Sequence, residues 1–242
     1  MIGINRPRTE PAALRRQRRA GLATALAALN QHGIGSKELN VALNAYDGGK
    51  ETLFLAQYRK CAYCERRTGM TAEPIEHVRP KKEAWRHLPQ ERPRVVEPGY
   101  WWLTWTWENH LFACQSCNTG FKQNYFPLAP GSRRLTGPVP PYRARRLRPE
   151  HLDGSVEKPW LIDPSSVNPL DHIEWRPVDP KQPKRRWIWS PAALTKEGEV
   201  TIKVLHLHEL ADDVADHLRD NVIARAEIIC AHIDAGRQPQ AL

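Results

Sequence analysis

Residues 61–64 read CAYC and residues 114–117 read CQSC, and these two C-x-x-C pairs decide how the chain is organised. One C-x-x-C turn presents two thiolates to a metal ion, so two such turns complete the tetrahedral four-cysteine shell typical of structural zinc. The redox alternative needs a thioredoxin-like βαβ context, which the flanking sequence lacks. We therefore predict that Cys61, Cys64, Cys114 and Cys117 hold a structural zinc ion. A closed shell leaves no position for substrate, so this ion is expected to join two distant segments and do no chemistry.

Side chains suited to phosphodiester hydrolysis are interlaced with the cysteine pairs. Residues 74–80 read PIEHVRP, which predicts a short strand ending at Pro80, and residues 107–122 read WENHLFACQSCNTGFK. Hydrolysis of a phosphodiester needs an activated water and a cation that neutralises charge on the phosphate. His77 suits the role of general base because neutral imidazole is plentiful near pH 7. A histidine alone in a strand would more often be structural, so the hypothesis depends on its order with Glu76, Asn109 and Asn118.

At these residues the sequence resembles the HNH endonuclease family. The family fold is a β-hairpin followed by a helix around one divalent ion, often braced by a four-cysteine zinc. The narrower resemblance is to the HNH proteins of Septu-type and retron-associated anti-phage systems, in which the nuclease works with a separate ATPase. The segments that carry it are CAYCE (61–65), EHVRPK (76–81), YWWL (100–103), WEN (107–109), CQSCN (114–118), FPL (126–128) and LIDP (161–164).

The resemblance implies a role for each candidate site residue. Glu76 and Asn118 would hold Mg²⁺ or Mn²⁺, hard cations that prefer oxygen ligands. Asn109 would orient the loop that carries the base His77 and would not itself be a ligand. Basic residues near these positions are expected to bind the phosphate backbone of the substrate; they are Arg79, Lys81 and Lys122. His110 is left out of the site, since the family needs only an apolar or variable residue there.

The charge of the chain favours a polyanionic partner. Its 36 lysines and arginines against 27 acidic residues give a formal net charge of +9, which suits nucleic acid first and an anionic membrane second. Residues 129–158 are rich in arginine and proline and are predicted to form an insertion or loop, either a solvated one or an arm that follows phosphates. The mean hydropathy is −0.62, and no apolar run approaches the ~20 residues needed to cross a bilayer. We therefore expect a soluble cytoplasmic protein.

Hydrophobic periodicity predicts an α+β protein, and the resemblance implies a ββα-metal core within it. Helices are predicted over residues 12–30, 36–46, 50–60 and 209–235, the last with an apolar stripe in the core and Cys230 as a small buried side chain. Short strands are predicted over residues 159–164, 173–177, 186–189 and 201–208, and His206 and His208 are more consistent with core or surface histidines than with a second site. The alternating residues Trp101, Leu103, Trp105 and Trp107 are interpreted as one buried strand face rather than as a base-stacking surface. The regions are then residues 1–59 (helical), 60–128 (nuclease core), 129–158 (insertion) and 159–242 (strands and C-terminal helix).

The favoured function is a metal-dependent endonuclease that cuts DNA and is gated by an ATPase partner. The first alternative is a non-catalytic zinc-knuckle protein that binds nucleic acid or serves as a scaffold, although such a protein would be expected to lose His77 or Asn118 first. The second alternative is an HNH nuclease that cuts RNA, because a one-metal mechanism with water does not use the 2′-hydroxyl.

Overall fold

Three helices form the N-terminal part of the protein, whose computed structural model describes residues 1, 3–71, 73–142, 147–178, 189–210 and 224–234. They are α1 (Ala12–His32), α2 (Lys37–Ala42) and α3 (Lys50–Ala56). The helix predicted over residues 12–30 agrees with α1, whereas α2 and α3 end before the predicted limits of 46 and 60. Ala45 after α2, and Tyr58 and Arg59 after α3, have positive φ angles, a conformation that cannot continue a right-handed helix.

Six short strands form three antiparallel pairs among the described residues. The pairs are β1 (Ile75–His77) with β4 (His110–Phe112), β2 (Glu83–Trp85) with β3 (Val96–Pro98), and β5 (Ile173–Pro177) with β6 (Trp189–Ala193). In the first pair His77 lies opposite His110. A π-helical segment, Ser116–Lys122, follows β4 and is called the knuckle helix below. The protein thus combines helices with small sheets, as the α+β prediction stated.

The tryptophan-rich segment is buried, as predicted, but it is not a strand. It folds into two 3-10 turns, Trp101–Leu103 and Trp107–Asn109. Every side chain from residue 101 to residue 107 is buried, so nothing alternates between core and solvent as it would on one sheet face. Trp105 packs so closely on α1 that a Cβ at Gly21 would lie 2.2 Å from its ring. The large apolar side chains of this segment therefore all contribute to the core.

The strand predicted over residues 201–208 is wrong, because this region begins in a helix, α4 (Lys196–Val204). The side chain of Thr195 caps it by accepting a hydrogen bond from the backbone N–H of Gly198 at 3.2 Å. Its β-branched residues mimic a strand locally, yet Val200 and Val204, one helical turn apart, are both fully buried. The strand predicted over 173–177 is confirmed as β5, and that predicted over 159–164 forms only an isolated bridge, between Leu128 and Pro159. Of residues 186–189 only Trp189, the first residue of β6, lies among the described residues.

The C-terminal helix is present, but its apolar side is not in the core where the structure describes it. Helix α5 spans Ala224–Asp234, within the predicted range of 209–235, while residues 211–223 lie outside the described part. Ile229 and Ile233 are 39% and 60% exposed, and Cys230 is exposed as well. The prediction of a buried Cys230 is therefore wrong. Hydrophobic periodicity shows which side of a helix is apolar, but it does not show whether another segment packs against that side. Across the described residues, each helix is too short or too polar to cross a membrane.

The described parts of the insertion at 129–158 pack against the core. Leu135 and Tyr142 are buried, and two 3-10 turns, Pro149–His151 and Gly154–Val156, close the segment. The carboxylate of Glu157 anchors it, pairing with Arg79 Nε at 2.7 Å and accepting the backbone N–H of Leu135 at 3.0 Å. Arg143, Arg145 and Arg146 lie outside the described residues, so the prediction of a phosphate-following arm stays a prediction.

Candidate active site and zinc centre

The four cysteines of the two C-x-x-C pairs come together as predicted. Their Sγ atoms all lie within 4.8 Å of one another, and those of Cys64 and Cys114 are 3.7 Å apart. Tetrahedral zinc with bonds of about 2.3 Å places its sulfur ligands about 3.8 Å from each other. The arrangement is therefore consistent with a structural zinc ion, and it fixes residues 61–64 against the start of the knuckle helix.

His77 is the last residue of β1 and is buried, with 7% of the residue exposed. Nε2 lies 3.0 Å from the backbone carbonyl oxygen of Thr104. A carbonyl oxygen can only accept, so Nε2 carries the proton and Nδ1 is the unprotonated nitrogen of the neutral ring. Burial, the neighbouring His110 and the charge of Lys81 hold the pKa of His77 well below its usual value. The ring is thus neutral at physiological pH and can accept a proton at Nδ1.

His110, which the sequence analysis left out, shares the same carbonyl group. Its Nε2 lies 2.8 Å from the Thr104 oxygen, and its ring meets that of His77 edge to face at a centroid distance of 4.9 Å. Burial lowers the pKa of His110 to about 4. Two neutral imidazoles therefore donate to one backbone oxygen, which restrains both rings. No local signal marks His110, because only strand pairing places it opposite His77.

Asn109 holds the backbone that follows β1. Its Oδ1 accepts the N–H of Arg79 at 2.8 Å, and its Nδ2 donates to the carbonyl oxygen of Arg79 at 3.0 Å. Its own carbonyl oxygen accepts the N–H of Val78 at 3.0 Å. Asn109 therefore holds Arg79 through its side-chain amide and Val78 through its backbone carbonyl group. This fixes the two residues that follow His77, as an orienting residue should.

Glu76 and Lys122 form a buried ion pair. Lys122 Nζ lies 2.5 Å from Glu76 Oε1, and the two side chains are 1% and 2% exposed. Lys122 also donates to the carbonyl oxygen of His77 at 2.9 Å. Burial raises the pKa of Glu76, and the charge of Lys122 opposes that rise. The structure thus places Lys122 inside the protein, against β1, and not on a surface that could contact phosphate.

The turn geometry of the knuckle helix explains this placement. The backbone N–H of Gln123 bonds to the carbonyl oxygen of Asn118 at 2.7 Å, an i→i+5 contact of the π type. Face assignments based on 3.6 residues per turn therefore do not apply here, and Lys122 turns toward β1. Asn118 is half-buried, and its Nδ2 donates to the carbonyl oxygen of Ile75 at 3.2 Å, which leaves Oδ1 as its possible metal-ligand atom.

Glu76 and Asn118 offer oxygen donors that fit a hard divalent cation. Glu76 Oε1 is buried and accepts no hydrogen bond of regular geometry, so its charge calls for a cation beside it. Lys122 supplies one positive charge at that position. Glu76 belongs to β1 and Asn118 is hydrogen-bonded to it, and their oxygen atoms suit Mg²⁺ or Mn²⁺ by chemistry. An ion held by Glu76 would share that carboxylate with Lys122.

The two other expected phosphate contacts differ in their surroundings. Arg79 is held by Glu157 at 2.7 Å and by the carbonyl oxygen of Gly154 at 3.0 Å, so its guanidinium joins the insertion to the core. Lys81 instead lies beside the site, with Nζ 3.6 Å from the ring centroid of Tyr46. Burial lowers the pKa of Lys81 to about 7, with neighbouring Lys82 adding to that effect. Lys81 is thus the candidate of the three that a substrate could meet.

The two other candidate histidines do not form a second metal site among the described residues. His206 stacks on Phe121 at a centroid distance of 4.7 Å, and its Nδ1 lies 2.8 Å from Glu209 Oε1. His208 is exposed. Within the part of the chain that the structure covers, the four-cysteine cluster is the group with metal-binding geometry.

The chain is similar in sequence to a protein of a Septu system. It is 32% identical over 173 residues to Septu protein PtuB of Bacillus mycoides (strain KBAB4), a match that covers 70% of this chain and 50% of that protein. The chain thus spans about half the length of this relative. No protein-family model matches the chain, and no solved structure does.

Proposed function

We propose that this chain is a metal-dependent endonuclease of the HNH type that hydrolyses DNA. The observation that carries the proposal is the Nε2 to Thr104 contact of His77, which leaves Nδ1 of a neutral, restrained ring ready to take a proton. Asn109 supports this role by clamping the backbone of Arg79, two residues further on. General-base catalysis needs an unprotonated group at a fixed position, and this ring provides both.

In this mechanism His77 Nδ1 removes a proton from the attacking water. Glu76 and Asn118 would hold a Mg²⁺ or Mn²⁺ ion, which when bound stabilises negative charge on the phosphate and the leaving oxygen. Lys122 holds β1 to the knuckle helix through Glu76 and through the carbonyl oxygen of His77. Lys81 lies close enough to the site to pair with a phosphate oxygen of the substrate. The zinc-binding cysteines keep the two segments in register and take no part in the reaction.

We further propose that the protein is an effector of an anti-phage defence system and that an ATPase partner gates it. The similarity to Septu protein PtuB supports the defence role. The net charge of +9 supports a nucleic-acid substrate. The ATPase partner follows from the family resemblance described above.

Cleavage of supercoiled plasmid in Mg²⁺ or Mn²⁺ tests the nuclease, with EDTA as the metal control. We expect nicking or linearisation that His77→Ala reduces about 10²- to 10⁴-fold, since that is the usual contribution of a general base. His208→Ala is the matched control, because His208 is an exposed histidine away from the site. Activity that survives His77→Ala would contradict the assignment. Binding of DNA without cleavage, with and without the ATPase, would favour the non-catalytic alternative, and cleavage of RNA alone would change the substrate.

A further inference from the structure

One aromatic ring from the N-terminal region reaches both the candidate base and the candidate phosphate-binding cation. Tyr46 lies in the loop between α2 and α3, outside the segment that the family resemblance covers. Its ring meets that of His77 edge to face, with a centroid distance of 4.7 Å and an interplanar angle of 76°. On the same ring, Lys81 Nζ lies 3.6 Å from the centroid. Tyr46 therefore contacts the last residue of β1 and one residue of the loop between β1 and β2.

The loop that carries Tyr46 is held on both sides by hydrogen bonds. Before it, the buried Trp105 donates its Nε1–H to the carbonyl oxygens of Asn44 and Ala45 at 3.0 and 3.1 Å. After it, the side chain of Gln17 donates to Asp47 Oδ1 and accepts the N–H of Gly48, both at 2.7 Å. A core tryptophan and helix α1 thus fix the backbone that presents this ring.

The backbone directly before Tyr46 is strained. Ala45 has a φ angle of 51°, in the left-handed region that a residue with a Cβ rarely adopts. Such a conformation persists only where the surrounding structure imposes it, and it is concentrated at functional sites. Here the two hydrogen bonds from Trp105 hold the backbone carbonyl groups of Asn44 and Ala45. The strain sets the direction in which the next side chain leaves the loop.

We propose that Tyr46 is a positioning residue that orients His77 for proton transfer and holds the Lys81 ammonium at the place where substrate phosphate binds. The inference rests on the proposed function. An edge-to-face contact restrains rotation of the imidazole, and a cation over the face of an aromatic ring is attracted by its quadrupole. Both contacts use the ring and neither uses the hydroxyl. Phenylalanine should therefore do the same work, and an aliphatic side chain should not.

The test compares Tyr46→Phe and Tyr46→Leu with Tyr58→Leu as the matched control. Tyr58 is 74% exposed, so its replacement removes a tyrosine without touching the site. The measurements are kcat and KM on a DNA duplex, the salt dependence of DNA binding, and the NMR shifts of the His77 ring protons. The signals of His77 are assigned by their loss in His77→Ala. Zinc content and melting temperature show whether each variant is folded, and Tyr46→Met replaces Tyr46→Leu if the latter melts early.

We expect Tyr46→Leu to lower kcat about tenfold, the size of effect that such ring contacts have when desolvated. Its plot of log binding constant against log salt should be shallower by about 0.9, which corresponds to one lost phosphate contact. The His77 ring protons should change their chemical shifts, because the ring current of the neighbouring Tyr46 is removed. Tyr46→Phe should keep all three values near those of the wild type, and Tyr58→Leu should change none.

Three results would overturn the inference. They are a Tyr46→Leu variant as active as the wild type, a Tyr46→Phe variant as impaired as Tyr46→Leu, and His77 signals that do not move in Tyr46→Leu. The NMR and binding measurements need no cleavage. If the wild type failed to cut nucleic acid, the proposed function would fall while these two measurements still decided whether Tyr46 holds His77 and Lys81.

Discussion

Replacement of the buried Glu157 by glutamine should destabilise the protein, because it leaves the guanidinium of Arg79 without its counter-charge. The side chain of Glu157 is fully buried and pairs with Arg79 Nε at 2.7 Å, and it also accepts the hydroxyl hydrogen of Tyr100. The Arg79 side chain is itself 16% exposed. Glutamine keeps the shape and one acceptor oxygen for the N–H of Leu135, but it removes the charge that balances the guanidinium. The change thus removes the charge and the acceptor atom that face Arg79 Nε and keeps the volume of the side chain.

The size of the effect follows from the geometry. Breaking a buried ion pair by removing one partner costs about 3–5 kcal/mol. Arg79 keeps its bond to the carbonyl oxygen of Gly154 at 3.0 Å and has some access to water, so we expect about 3 kcal/mol for Glu157→Gln. Because Arg79→Met removes the other charge, the double variant should lose less than the sum of the two single losses. We expect a coupling energy of about 1–3 kcal/mol.

Urea unfolding in the presence of zinc measures these free energies for both single variants and the double variant. Glu150→Gln is the matched control, because Glu150 belongs to the same insertion and pairs with Arg148 on the surface at 3.5 Å. That variant should unfold like the wild type. Additive losses, with a coupling energy below about 0.5 kcal/mol, would refute the reasoning. A Glu157→Gln variant as stable as Glu150→Gln would refute it as well.

Three further predictions follow from the sites described above. Purified protein should contain one zinc ion per chain by metal analysis, and Cys114→Ser should lower both the zinc content and the melting temperature; a fully stable, zinc-free variant would contradict the centre. Burial lowers the pKa of His110 to about 4, whereas a histidine in the unfolded chain has a pKa of about 6.5. As pH falls, the unfolded chain therefore binds a proton before the folded chain does, so the free energy of unfolding should be full above about pH 6.5 and decrease toward pH 4. His110→Gln should flatten this pH dependence, and an unchanged pH dependence would contradict the prediction. Burial lowers the pKa of Lys81 to about 7, so its charge is lost as pH rises above that value. DNA affinity should therefore weaken between pH 6 and 8 in the wild type and change much less in Lys81→Arg, because a guanidinium keeps its charge over this range. An equally steep fall in Lys81→Arg would contradict the prediction.

Local patterns predicted those features that depend on local spacing. The two C-x-x-C pairs were enough to predict the four-cysteine cluster, because each turn sets the positions of its own two sulfur atoms. The strand at β1 and the helix at α1 also agree with their patterns, since period and flanking residues decide them. The strand prediction for the β-branched residues of α4 was wrong. The cap at Thr195 and the burial of residues one helical turn apart favour a helix more than the β-propensity of these residues favours a strand.

The environment of the site depended on contacts between distant segments. The sequence predicted Lys122 and Arg79 as phosphate contacts, and the structure places Lys122 against Glu76 and Arg79 against Glu157. A basic residue carries the same charge in both settings, so its type does not reveal which partner it has. Tyr46 had no local signal at all, because its significance comes only from the ring of His77 beside it.

The sequence by itself determined the cysteine cluster, the order of the candidate site residues and the basic character of the chain. These properties are carried by residue type and by spacing within a few positions. Only the tertiary structure decided which nitrogen of His77 bears the proton, which cation balances Glu76, and which aromatic ring borders the site. The physical reason is that burial and pairing set protonation and charge balance, and both arise when segments far apart in the chain pack together.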